Sequence, residues 1–190
     1  MRWPGVIKPG TVINEIGAHE DMCATIMAAV GEADIGEKLK KGHKANGREY
    51  KVHLDSYNLM PALKGEAKWP RRDFIYWTDD GSVAALRYDN WKISFLKQHG
   101  HGLHVWINSF EVLRAPILTN IRTDPFELAQ EQAMDYGRWF AEHMFLFAPA
   151  GMFVGRWLQS FREFPPRQKP GSFNLDRVME SVMGTGGGGH

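Results

Sequence analysis

Three histidines stand close together in His99-Gly100-His101-Gly102-Leu103-His104. Imidazole nitrogens suit zinc, copper or nickel. Glycines on either side of His101 give a loop the freedom to wrap an ion. His99, His101 and His104 are therefore the candidate ligands of a transition metal. The competing reading is a polar, glycine-rich hairpin loop, because no cysteine is near and the next carboxylate is Glu111. Two other groups could carry acid–base chemistry. Asp79-Asp80 and Asp89-Asn90 cluster acidic and amide groups, but both pairs have turn composition. Glu142-His143 lies in a helical stretch, where surface or interhelical polarity explains it. The single cysteine, Cys23, excludes an internal disulfide. It sits in the apolar run Met22 to Met27, which predicts a buried small hydrophobe rather than a reactive thiol. The sequence has no P-loop, no G-x-S-x-G and no H-E-x-x-H.

The elements that must position these residues fall into three stretches. Val6 to Ile16 is extended or loop, interrupted by Pro9-Gly10. His19-Glu20-Asp21 opens a helix to about Val30, with acidic residues at its positive end and Gly31 to stop it. Asp34 to Lys41 is a second short helix with Asp34 as its cap. Gly42 to Gly47 is a polar turn, Arg48 to Leu54 a strand, and Leu59 to Leu63 one helical turn. The middle is rich in β-formers. Strands are predicted at Asp73 to Thr78, Val83 to Tyr88 and Trp91 to Gln98, the first two joined by a tight acidic-Gly turn. Leu103 to Ile107 is a further short strand, and Ile117 to Arg122 another. The last third is helical: Glu127 to about Phe147, broken by Pro149, then Met152 to Phe164. Pro165 to Gly171 is a linker, Leu175 to Val182 a terminal helix, and Gly184 to His190 a flexible tail. The class is α+β: a small antiparallel sheet packed with helices and preceded by a helical N-terminal arm.

Composition narrows the function classes. Basic and acidic residues number 23 and 22, for a net charge of +1, and no long basic run exists. Nucleic-acid binding is not indicated. No apolar stretch reaches the roughly 20 residues of a membrane span, and no leader is recognisable at the start. A cytoplasmic protein with no membrane partner is the expectation. Hydrophobic residues at 43%, with 7 Trp and 11 Phe, supply enough apolar area for a packed core.

Two blocks of sequence resemble the arylsulfatase-type enzymes. The first is Arg2-Trp3-Pro4-Gly5-Val6-Ile7-Lys8-Pro9-Gly10, with His19-Glu20-Asp21 opening the helix beyond it. The second starts at Asp55-Ser56-Tyr57-Asn58-Leu59-Met60-Pro61-Ala62-Leu63-Lys64-Gly65. It continues through Arg87-Tyr88-Asp89-Asn90-Trp91-Lys92 to Asn120-Ile121-Arg122-Thr123-Asp124-Pro125-Phe126-Glu127. In that family a D-G-x-x-L-x-P-x-L-x-G element precedes a small antiparallel sheet, a strand with R-x-x-x-W-K follows, and N-L-x-x-D-P-x-E leads into the terminal helix. Ser56 replaces the usual glycine. The resemblance spans residues 2 to 183 and implies the C-terminal subdomain of a sulfatase. It divides the chain into an N-terminal arm (1–65), a C-terminal-like α+β domain (66–183) and a tail (184–190).

The same resemblance implies that the catalytic machinery is missing. The family nucleophile comes from a Cys or Ser in C/S-x-P-x-R, and Cys23-Ala24-Thr25-Ile26-Met27 has neither the proline nor the arginine. The family's calcium ligands, and the Lys and His that hold the sulfate, come before R-W-P-G. No catalytic residue is carried over and no calcium site is expected. A hard cation needs several oxygen ligands, and ester cleavage needs a nucleophile with charge stabilisation. The expectation is a sulfatase-like unit without turnover of its own. It would expose an apolar helix face and act as a self-associating scaffold or binding module. The alternatives are a new metal-dependent activity at the histidine loop, or a subunit that completes a separate catalytic half.

Overall fold

The computed structural model describes residues 1–166 and 171. The expected terminal helix and tail lie outside them. Among the described residues α1 (Asp21–Ala29) and α2 (Ile35–Lys41) come first, followed by a hairpin of β1 (His43–Ala45) and β2 (Arg48–Tyr50), then α3 (Met60–Leu63). A four-stranded antiparallel meander follows, β3 (Asp73–Trp77), β4 (Val83–Tyr88), β5 (Trp91–Lys97) and β6 (Glu111–Asn120), hydrogen-bonded in that order. Three helices follow among the described residues: α4 (Ala129–Gln132), α5 (Tyr136–His143) and α6 (Phe147–Glu163). The protein is α+β, as the sequence predicts.

Strand alternation gives the meander two faces. One presents Ile75, Leu86, Ile93 and Leu118, which pair across strands as Ile75 with Leu86, Leu86 with Ile93 and Ile93 with Leu118. These residues form a core with Ala150 of α6, and Trp139, Phe140, Phe153, Val154 and Trp157 pack around it. The other face carries Phe74, Tyr76 and Arg87 toward the N-terminal segment. A second core forms there from Leu59, Met60 and Leu63, packed by Trp3, Val6, Ile7, Met22 and Trp69.

Several sequence expectations hold at residue level. Helix α1 ends at Ala29 and Gly31 follows with φ 98°. Asp34 stands at the N-cap of α2, but its carboxylate pairs with Lys38 at 3.1 Å instead of capping the backbone. Asp89-Asn90 makes the two-residue turn between β4 and β5, with Asp89 at φ 49°. Arg72 pairs with the Asp89 carboxylate.

Other expectations are corrected. The turn at Gly42 to Gly47 contains a strand of its own. Asn46 and Gly47 adopt φ of 49° and 75° and fold β1 onto β2, the chemistry of a tight hairpin. Leu103 to Ile107 is not a strand but part of a 3-10 helix, Gly102–Trp106. The Gln98 side chain causes this: its amide donates to the carbonyls of Val105 (3.3 Å) and Asn108 (3.0 Å) and accepts from the Gly100 N–H (2.8 Å). Strand β6 begins at Glu111, well before Ile117. The single helix expected from Glu127 to Phe147 is three pieces, because Ala133 is extended at ψ 124° and a 3-10 turn, Met144–Leu146, precedes α6. Pro149 does not end a helix. It lies in the first turn of α6, where N–H groups have no intrahelical partner to lose. Cys23 is exposed, not buried. Helix α1 turns Asp21, Ala24 and Thr25 inward, which leaves Cys23 on the opposite side. No described helix is long and apolar enough to cross a membrane.

Candidate functional site

A cavity of about 690 Å³ lies between the second face of the meander and the N-terminal segment. Its floor is Phe74, Tyr76 and Arg87, and its walls include Ile7, Ile13, Ile16, Met22, Leu59 and Trp69. Each element has a reason to be there. The loop through Ile16 is tied down by the Trp69 indole, which donates to the Ile16 carbonyl at 2.6 Å. Met22 follows the first residue of α1, and Leu59 precedes α3, where the second core holds it. A concave, mainly apolar site with a few polar groups is the usual form of a ligand pocket.

Polar side chains in the lining include Glu20, His19, Arg87, Tyr76 and Thr11. Glu20 also belongs to a charge cluster behind the cavity wall. Arg71, only 3% exposed, donates from Nε to Asp21 Oδ2 (2.7 Å) and from Nη2 to Asp21 Oδ1 (2.6 Å) and Glu20 Oε1 (2.7 Å). The same guanidinium reaches the carbonyls of Asp55 (2.8 Å) and Asp73 (3.1 Å) and lies over the Tyr57 ring. Asp21, with 0% exposure, accepts two further bonds from the N–H groups of Ala18 and Tyr57. A buried carboxylate so fully bonded is tolerated, because its lost hydration is replaced by donors.

Burial holds the Glu20 carboxyl above its ordinary value of 4.5, the nearby Arg71 charge opposes this, and the Asp21 and Asp55 carboxylates add to it. Because the folded value is the higher one, the folded state holds the proton longer. Protonation favours folding below the ordinary value, and that contribution is lost as pH rises through the folded value. Glu20→Gln should therefore match the wild type in stability below about pH 4.5 and gain on it as pH rises. Urea titrations of both proteins across that range check this, and a difference that ignores pH would refute it.

The cavity lining contains no serine, cysteine or lysine. Thr11 spends its hydroxyl on the Lys8 carbonyl (2.7 Å). The arrangement has the means to bind and orient a molecule.

The sequence-predicted metal ligands lie elsewhere. The His99 ring donates from Nε2 to the Glu111 carboxylate at 2.7 Å, and Glu111 lies on the strand that pairs with β5 beside it. Gly100 packs so closely that a Cβ there would meet the His104 carbonyl at 2.7 Å. The loop is thus folded around itself. Among the described residues no group of three His, Cys, Asp or Glu side chains, His99, His101 and His104 included, stands together so as to hold a metal ion. Asp89 makes the expected turn, and His143 bonds the Trp139 carbonyl at 2.7 Å within its own helix. The charge cluster was not visible in the sequence. Asp21 reads there as a helix-dipole residue, and no local spacing joins it to Arg71 fifty positions away. Compared with models of known protein families and with curated proteins, the chain matches none.

Proposed function

We propose that these residues form an arylsulfatase-type C-terminal unit without sulfatase turnover of its own, and that it works as a binding scaffold that associates with itself through the outer face of α1. The family reading rests on the order of the sequence blocks. The absence of turnover rests on the residues: the 190 positions contain no C/S-x-P-x-R, and the cavity lining has no serine, cysteine or lysine.

One observation carries the self-association. Ile26 is 58% exposed and Val30 71%, and both lie on the Cys23 side of α1 and the residue that ends it. A surface stripe of this kind is stabilised by covering it. A second copy is the occupant that fits, because a two-fold contact sets a face against itself. The only charged residue in α1 is Asp21, buried on Arg71, so no like charges meet.

Light scattering on the purified chain tests this, with Ile26→Asp beside it. A dimer that becomes a monomer in the variant, with unchanged circular dichroism, is the expected result. A wild-type monomer, or a dimer indifferent to the substitution, would overturn self-association. Release of the phenol from an aryl sulfate by the same sample would overturn the non-catalytic reading.

A further inference from the structure

A second cavity, about 300 Å³, lies on the opposite face of the meander, between it and α6. Its floor is two cross-strand pairs, Leu86 with Ile93 and Tyr88 with Trp91. Its roof is one face of α6 and the turn before it, where Leu146, Ala150 and Phe153 follow at helical spacing. Large, small, large is the pattern. Ala150 is the one buried residue of α6, so the helix meets the sheet on its smallest side chain, and a notch remains between the flanking large ones. Phe153 stands edge-on to Tyr88 at 6.0 Å between ring centroids, which props the notch open from one end.

The walls are mainly apolar, three of the nine lining residues (Tyr88, Trp91 and Phe153) are aromatic, and the single charged one is Arg156. No carboxylate among the described residues bonds its guanidinium. An arginine at the edge of an aromatic cavity fits a planar two-oxygen anion, which it can hold with two parallel hydrogen bonds. We propose that this notch is a binding site for a small aromatic monocarboxylate, its ring between the Tyr88–Trp91 shelf and Ala150 and its carboxylate on Arg156. One cation selects one negative charge, and the flat walls select a ring. The site shares no lining residue with the larger cavity and does not rest on the reading of the protein as sulfatase-like.

The test is nuclear magnetic resonance on the full chain with labelled alanine methyls, titrated with 3-phenylpropionate. The expected result is a saturable shift of the Ala150 methyl from the ring current of the bound phenyl group. Arg156→Gln, at an exposed position that leaves the fold intact, should weaken the shift's apparent affinity about tenfold, the effect of losing a charge-assisted pair. The neutral 3-phenylpropionamide should bind the wild type as weakly. Ala150→Leu, which fills the notch, should remove the binding, read from the remaining alanine methyls. No Ala150 shift up to the solubility limit would overturn the proposal. So would an amide that binds as tightly as the acid, or an Arg156→Gln variant that binds as well as the wild type.

Discussion

Arg71→Ala is expected to cost about 3–5 kcal/mol of folding stability, the range for removing one partner of a buried ion pair. The loss lies mainly in what is left behind. Asp21, with no exposed surface, would keep only the N–H groups of Ala18 and Tyr57 for a full charge. Glu20 and the carbonyls of Asp55 and Asp73 would lose the same donor. Since domains are stable by only about 5–15 kcal/mol, this one change removes a large share. It also cuts a link in the fold. Arg71 joins the start of α1, beside the Leu59–Leu63 core, to the start of β3, which belongs to the Leu118 core. The urea transition of the variant should therefore broaden or split by fluorescence, while the wild type unfolds in one step. Adding Asp21→Asn should restore part of the loss, because the orphaned charge is gone. A second substitution that only adds further damage would show that the pair's charge is not the source. Arg71→Lys should rescue little, since an ammonium cannot span both carboxylate oxygens.

How much of this was open to reading in the chain depends on the range of the forces involved. The meander was legible because period-2 alternation and the Asp79-Asp80-Gly81 and Asp89-Asn90 turns act within a few residues. So were α1 and its stop at Gly31, where capping and a positive φ are local. The histidine loop was not, since a strand-like run, Leu103 to Ile107, is overruled by one glutamine side chain across the loop. The break in the expected long helix is partly local and partly tertiary. Asp124 takes the N–H groups of Leu128 and Ala129 and starts α4 there, while Tyr136 is drawn to the backbone of Leu118. Of the candidate site, composition singles out the histidines, yet composition does not tell how the loop places their rings; no group of three such ligands stands together among the described residues. The larger cavity and its charge cluster come from residues brought together over about fifty positions, a distance over which sequence spacing carries no signal. The exposure of Cys23 was in principle readable: Asp21, Ala24, Thr25 and Ala28 form a small-residue stripe suited to close packing, and Cys23, Ile26 and Val30 fall on the other side.

The second large effect is expected at Leu118. Its side chain has 0% exposure and belongs, with Ile75, Leu86, Ile93 and Ala150, to the sheet–helix core, where it lies opposite Ile93. Leu118→Ala removes three fully buried carbons from that cluster, for which about 2–5 kcal/mol is usual. The upper part of that range is expected here because the site has little freedom to collapse. On one side the backbone is in register with β5, Leu118 opposite Ile93. On the other, the Tyr136 hydroxyl accepts from the Leu118 N–H at 3.2 Å and donates to its carbonyl at 2.9 Å. A strand held from both edges cannot move inward to fill a void, so the cavity term survives in full. Urea unfolding measures the loss; a cost under about 1 kcal/mol would mean that α6 settles onto the sheet and that the core is softer than its packing implies. Tyr136→Phe separates the two ideas. It should cost about 1–3 kcal/mol alone, from unpaired backbone groups. Combined with Leu118→Ala it should cost less than the sum, because a strand freed at its outer edge can relax into the space the leucine leaves. Leu118→Ala with Arg71→Ala should instead add, since the two share no contact and sit in different cores.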